Sequence, residues 1–479
     1  MTRRIFILII VAICNCLSLL AKRTEITIIV ANDVHASIDK IPMLATLLDS
    51  IRSVNSNVLL FSAGDNRTGN PVNDKYPQPN YPMTFLMNQL GFNLSAIGNH
   101  EMDDGPEAFR TTINNSNFHY ICANMHTPDS LRIFVDPYRI IEVDGVRIGV
   151  LGLIQINETG TPDIHPKNLN QVSFTMPKTE VEHYGPWLKQ STDVLLLLSH
   201  LGFDDDVAMS EFAPYFDVII GAHSHTAVKE NYMKNGVLIT QNDSKLKTVS
   251  EIKLVVEDGH VIEKTSKVHN VAKHKADENI KRTVDFFNDN ETFKTVVATT
   301  AHKFPNIQTL GSLICDAAKD FAATDFALQN GGGVRIDSLP AGPITLRDVY
   351  ALDPFSNELY TLKITGAQLL QLLANAYIMD KYLPCFTAGF NYRLTTKKQS
   401  DGKIVVEKVE AWLPDGKKLN TKRIYSIVMN SYMVSMFKYG NPLEIKSTYT
   451  VSASVLIDYL KQKQHIEGPA EDRVVVVNQ

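Results

Sequence analysis

Between Glu25 and about Val271 the chain alternates short apolar runs with polar turns and helix-compatible segments. "EITIIVA", "NVLLF", "LSAI", "DVLLLL" and "FDVII" are rich in β-branched and large aliphatic residues, with little polar alternation inside them. Such continuous runs predict strands buried on both faces, in sheets covered by helices. Each run then turns polar: at Asp33 and His35, at Asp65 and Asn66, at Asn99 and His100, at His200, and at His223 and His225. In layered α/β folds, ligands bind beyond the carboxyl ends of the strands.

After Val271 the pattern changes. "HKADENIKRTVDFFNDNET" is charged and helix-compatible, and residues 272–292 read as a linker helix. "LGSLICDAAKDF" sets Leu310, Leu313, Ile314, Ala317 and Phe321 at helical spacing. "TDFALQNGGGVR" predicts a strand running into a glycine turn, and "ITGAQLLQLLANAYI" an amphipathic helix. Residues 389–430 predict strands around an "LPDGKK" turn. The expectation is an α/β protein whose larger first domain is followed by a smaller α+β domain over 293–479.

The polar strand ends carry the candidate chemistry. One such end would be an ordinary turn or a capped histidine, but five can converge on one edge of a sheet. Mixed imidazole and carboxylate donors suit divalent ions such as zinc, manganese or iron, and the scarcity of cysteine argues against a structural zinc knot. We expect two divalent ions. Asp33, His35, Asp65 and His225 would serve one, and Asp65, Asn99, His200 and His223 the other. Asp65 would bridge, because two carboxylate oxygens can hold cations about 3.5–4 Å apart. Asn99 would add a ligand without adding charge. Gly64, Gly98 and Gly221 would let the backbone turn where these donors crowd. Glu101 and Asp104 are expected to face solvent or cap a helix.

The D-x-H of Asp33 and His35, the G-D-N of Gly64 to Asn66, the G-N-H-E of Gly98 to Glu101, the lone His200, and the G-A-H-S-H of Gly221 to His225 resemble the calcineurin-like metallophosphoesterases. The resemblance covers roughly residues 25–271 and implies a layered β-sandwich flanked by helices, as a domain over 22–271. It also implies that His100 points at substrate. Asp103 would accept a hydrogen bond from that imidazole and keep it protonated, so that it neutralises phosphoryl charge and helps the leaving oxygen depart.

In the second half, "NGGGVR", "GPITLRDVY" and "DPFSNELY", in that order after "LGSLICDA", resemble the C-terminal, substrate-binding domain of the 5'-nucleotidase family. By that resemblance Asn330 and Arg335 contact a nucleotide, the planar fork of Arg335 suiting a phosphate oxygen. Gly331, Gly332 and Gly333 would let backbone approach the ligand, and Phe355 and Tyr432 would stack on the base. The chain departs from the family pattern in "MVSMFKYG", where Lys438 stands near an expected aspartate, and in "HKFPNIQT", which has His302 and Lys303 but no arginine. After "ITQ" the family's glycine-rich turn is replaced by "NDSKLK".

The implied activity is release of phosphate from nucleoside monophosphates, in a cleft reached by movement of the C-terminal domain. Cyclic nucleotides and UDP-sugars are rival substrates, and a secreted nucleotide-binding protein is the rival of another class.

The N-terminus adds a location. "MTRR", then "IFILIIVAICNCLSLLA", then "KRTE" has the layout of a secretory signal over 1–21, cleaved near Ala21, with an uncleaved anchor as the alternative. Export to the periplasm or the cell exterior follows. No second run is long enough to span a bilayer. With Cys14 and Cys16 removed, Cys122, Cys315 and Cys385 make no disulfide framework. Stability must come from packing, for which 44% hydrophobic residues in 479 leave ample material. A net charge of -5 gives no electrostatic case for nucleic acid as the main partner.

Overall fold

The computed structural model describes residues 23–380, 382–400, 403–468 and 472–478. The expected signal segment, 1–21, lies outside the described residues. Contacts divide the chain into two units: one runs to Arg67 and includes Asn80–Ile164 and Asn168–Val284, the other comprises Thr68–Pro79, His165–Lys167 and everything from Asp285 onward. The dividing point falls inside the helix Glu278–Asn288.

The first unit holds two six-stranded sheets. In one, the strand order is His260–Asn270, Thr248–Glu257, Arg23–Ala31, Val58–Ser62, Leu94–Ala96 and His119–Ile121. In the other it is Met233–Lys234, Val237–Thr240, Val218–Ile220, Val194–His200, Val146–Ile154 and Tyr138–Val143. Both sheets supply one core. Ile26, Ile28 and Val30 from the first sheet meet Ile148, Val150, Leu196 and Leu198 from the second, so the unit is a β-sandwich. The opposite face of the second sheet buries Leu195 and Leu197 against Val181 and Leu188 of the helix Pro177–Ser191. Both faces of the strand Val194–His200 are therefore covered, which is why "LLLL" shows no polar alternation.

Register sets up the site. Arg23–Ala31, Val58–Ser62 and Leu94–Ala96 are parallel neighbours, with Ala31 opposite Ser62 and Ser62 opposite Ser95. Their carboxyl ends finish level, so the residues that follow leave from one edge. In the second sheet Val218–Ile220 runs parallel to Val194–His200, with Ile220 opposite Leu198.

The second unit is α+β. Its five-stranded sheet is ordered Phe386–Ala388, Phe326–Gln329, Ile424–Asn430, Glu358–Thr365 and Glu444–Val451. One core packs Leu310, Leu313, Ile314 and Ala317 of the helix Ile307–Ala322 against Ala327 and Val428. Another packs Leu369, Leu372 and Leu373 of the helix Gly366–Met379 against Leu328, Ile364 and Ile427. Phe321 departs from its expected place on the buried face: it lies in the last turns of its helix and is 47% exposed. Cys122, Cys315 and Cys385 are buried and unpaired. Among the described residues no helix is long and apolar enough to cross a membrane.

Candidate metal centre

The turns after the strands place the expected donors under local backbone constraint. Asp33, His35, Asp65, His223 and His225 all adopt positive φ, between 46° and 75°. Left-handed conformations are uncommon for residues with side chains, and they concentrate where surrounding structure over-determines them. Here loop-to-loop hydrogen bonds do so. The amides of Asp33 and His35 donate to the carbonyls of Gly64 (3.1 Å) and Asp65 (2.9 Å), and the His223 amide donates to both Asp33 carboxylate oxygens at 3.0 and 3.1 Å.

Three groups of donors form, each with its ligand atoms within 4.8 Å of one another: Asp33, His35 and His225; His35, Asp65 and His100; Asp65, His200 and His223. Their chemistry suits a borderline divalent cation. On one side the Nε2 atoms of His35 and His225 lie 3.1 Å apart, and His225 Nε2 is 3.5 Å from Asp33 Oδ1. On the other, His200 Nδ1 is 2.7 Å from the Ala63 carbonyl. A carbonyl can only accept, so Nδ1 carries a proton, and Nε2 faces Asp65 Oδ2 and Asn99 Oδ1, each at 3.3 Å. A backbone-anchored imidazole with its other nitrogen aimed at acidic oxygens is the usual arrangement of a metal-binding histidine. Asn99 also donates its amide to the Asp163 carbonyl at 3.1 Å, which turns its oxygen inward.

Electrostatics pull in the same direction. Burial alone would raise the Asp65 carboxyl, but the imidazoles of His200, His100 and His35 hold it well below the usual range. Burial disfavours a charged His200, yet Asp65 and Asp33 lift it to about 9. The pocket thus concentrates negative charge that imidazolium protons balance, and a cation would displace them.

His100 pairs through Nδ1 with Asp103 Oδ2 at 2.7 Å, and its Nε2 lies 4.0 Å from Asp65 Oδ2. The expected His–Asp pair is therefore formed, with His100 itself a member of one donor group. Asp103 is fixed in turn by Asn168, whose amide donates to its carbonyl at 2.6 Å.

One expectation fails. Glu101 neither faces solvent nor caps a helix: it is 1% exposed, and its carboxylate accepts the backbone amides of Asp65, Asn66 and Gly98. Asp104 stands at the N-cap position of the helix Gly105–Asn115 without a side-chain capping bond, and pairs with Arg67. Sequence reasoning also passed over Asn32, which donates to Asp33 at 2.7 Å, and Asp163, whose Oδ2 lies 3.5 Å from His223 Nε2. Asn32 precedes a ligand in the strand-end turn and so could have been suspected. Asp163 sits in an irregular segment with no pattern to expose it.

In the second unit Asn330 follows the strand Phe326–Gln329 and opens the turn Gly331–Gly333. Asn430 caps the helix Ser431–Met436 by accepting the Met433 amide, so its side-chain NH2 must face Asn330 Oδ1 (3.0 Å) and Gln329 Oε1 (3.1 Å). The Arg335 guanidinium lies 5.6 Å from the centre of the Phe355 ring. Tyr432 is in the first turn of the capped helix, its ring 6.0 Å from that of Phe437. The three glycines have a reason beyond ligand access. A Cβ at Gly331 would come within 2.5 Å of Leu383 Cβ, at Gly332 within 2.7 Å of Asp380 Oδ1, and at Gly333 within 2.1 Å of Gln329 Nε2.

Comparison with known proteins places both units. Residues 26–227 match the model of the calcineurin-like phosphoesterases, and residues 292–451 match that of the 5'-nucleotidase C-terminal domain. The chain is 26% identical to the endonuclease YhcR of Bacillus subtilis (strain 168), over 86% of this chain but 37% of that protein, so it spans little more than a third of that relative's length. It is 28% identical to the protein UshA of Yersinia enterocolitica, over 74% of this chain and 76% of that one. The crystal structure of a 5'-nucleotidase precursor from Thermus thermophilus shares the fold, with a TM-score of 0.83 at 23% identity over 95% of this chain and all of the other.

Proposed function

The chain belongs to the family that joins a calcineurin-like phosphoesterase domain to a 5'-nucleotidase C-terminal domain, and from that premise we propose an exported phosphohydrolase that uses two divalent metal ions to release phosphate from nucleoside monophosphates. The observation that carries the reading is the position of Asp65, shared by two of the three donor groups and flanked by His35 and His100 on one side and by His200 and His223 on the other. Asp33, His35, Asp65 and His225 would hold one ion, and Asp65, Asn99, His200 and His223 the second. Divalent cations held there supply Lewis acidity, polarising a phosphoryl group and making water acidic enough to ionise near neutral pH.

The chain's own residues do the rest. Asp103 orients the His100 ring, and a proton held on that ring offsets phosphoryl charge and can pass to the leaving oxygen. Asn330, Arg335, Phe355 and Tyr432 are the proposed nucleotide-binding set. Arg335 offers a bidentate donor to a phosphate oxygen, and the two aromatic rings offer faces for a base. Export rests on the basic, apolar, charged layout of residues 1–21.

The test, with zinc or manganese added, follows inorganic phosphate from AMP and UMP, and by chromatography the monoester products of 2',3'-cyclic nucleotides and UDP-glucose and the fragments of single-stranded DNA, included because one relative is named an endonuclease. Phosphate from the monophosphates supports the nucleotidase reading. Preference for a cyclic nucleotide, UDP-glucose or DNA reassigns the substrate within the same chemistry, and saturable binding without product points to a binder. Asp65→Asn is expected to lose both activity and bound metal. A fully active Asp65→Asn enzyme overturns the assignment.

A further inference from the structure

We propose that Glu101 is the positioning residue of this centre: its carboxylate clamps the loop bearing Asp65 to the loop bearing Asn99, fixing the distance between them. The inference rests on the metal-binding reading above and extends it to a residue that would touch neither ion nor substrate.

The two loops follow adjacent parallel strands, Val58–Ser62 and Leu94–Ala96. Glu101 Oε2 accepts the amides of Asp65 at 3.0 Å and Gly98 at 2.7 Å. Its Oε1 accepts the Asn66 amide at 2.8 Å and the Asn66 side chain at 3.2 Å. In the opposite direction Asp65 Oδ1 accepts the His100 amide at 2.9 Å. Each loop thus caps the other's backbone donors with a carboxylate, and charge-assisted bonds of this kind are the stronger class.

A carboxylate offers about four lone-pair positions, and four donors engage those of Glu101. No lobe remains for a cation, which separates Glu101 from the ligands although it follows Asn99 and His100 directly. The clamp is also tight. A Cβ at Gly98 would lie 2.2 Å from Asp65 Oδ1, so the Asp65 side chain already touches the neighbouring loop. His200 Nε2 reaches Asp65 and Asn99 at equal distances of 3.3 Å, a geometry that exists only while the two loops stay in register.

A glutamine at this position keeps the shape but replaces one oxygen with a donor. That NH2 would face either the amides of Asp65 and Gly98 or those of Asn66, donor against donor.

The experiment compares wild type, Glu101→Gln and Glu101→Asp for metal content after dialysis against zinc, for zinc-induced rise in melting temperature, and for kcat and KM separately. Expected for Glu101→Gln is a native circular-dichroism spectrum, about 10–100-fold weaker zinc binding and a comparable fall in kcat, as for loss of a group that orients metal ligands, with KM within about threefold. Glu101→Asp, with its charge kept one methylene further back, should lie between the two and recover with raised zinc. It also stands in if Glu101→Gln fails to fold. Wild-type zinc content and kcat in the folded variants overturn the clamp, as does a lowered melting temperature with full activity per folded molecule, which marks a purely structural acid. Wild-type protein that retains no divalent cation overturns the metal-binding reading itself, and the clamp with it.

Discussion

His100 and Asp206 carry two roles that single substitutions can separate. His100→Asn should leave metal content intact and lower turnover by about 10²–10⁴-fold, the usual worth of a proton-transferring group; metal analysis beside kcat checks both halves. Asp206 is fully buried, with one carboxylate oxygen on Ser199 and the other without a partner. Burial pushes its carboxyl up to about 8, against the opposing bond from Ser199. The unfolded chain releases that proton near pH 4. Between about pH 4 and pH 8 the folded state therefore binds the extra proton, and stability falls as pH rises. Asp206→Asn is neutral throughout and should flatten this slope, seen as a smaller drop in the urea midpoint between pH 5 and pH 8 than wild type shows. At this scale the sequence disclosed residues whose chemistry matches their position, such as Asp33, Asp65 and His200. It hid Glu101, because an acid beside a histidine reads the same whether it faces water or backbone amides. Its role comes from a neighbouring strand that only pairing brings near.

Elements were more legible than individual contacts. The run "DVLLLL" announced a strand covered on both faces, and the structure sends Leu196 and Leu198 to one core and Leu195 and Leu197 to another. The helix Gly366–Met379 was visible from its apolar spacing. Its start is fixed by a capping box in which Thr365 accepts the Gln368 amide and Gln368 reaches back to the Thr365 amide at 2.8 Å. Thr365→Ala should cost about 1 kcal/mol, read as a lower melting temperature with zinc binding unchanged. The glycine turn at Gly331–Gly333 carries a second demand that the sequence pattern did not show. Beside the expected approach of backbone to a ligand, a Cβ at any of the three would meet Leu383, Asp380 or Gln329.

As a whole, the chain carries two units with their own cores, and the three groups of metal-type donors found among the described residues lie in the first. A ligand bound only to the folded form of one unit stabilises that unit, by about 2.7 kcal/mol when present at 100 times its dissociation constant. Calorimetry with and without zinc should therefore move the transition of the phosphoesterase unit and leave that of the C-terminal unit in place. A uniform shift of all transitions, or none, would contradict the assignment. The two-unit composition was legible because pattern and chemistry change together after Val271. That Thr68–Pro79 and His165–Lys167 group with the C-terminal unit was not, because long-range packing leaves no local trace in a loop.

The donors arrive from stretches as far apart as Asp33 and His225, on both layers of the sandwich. The groups that include His225, or His200 and His223, close only when both layers are in place, whereas His35, Asp65 and His100 all follow strands of one sheet. A cation held across the two layers therefore acts as a late seal on a nearly finished molecule.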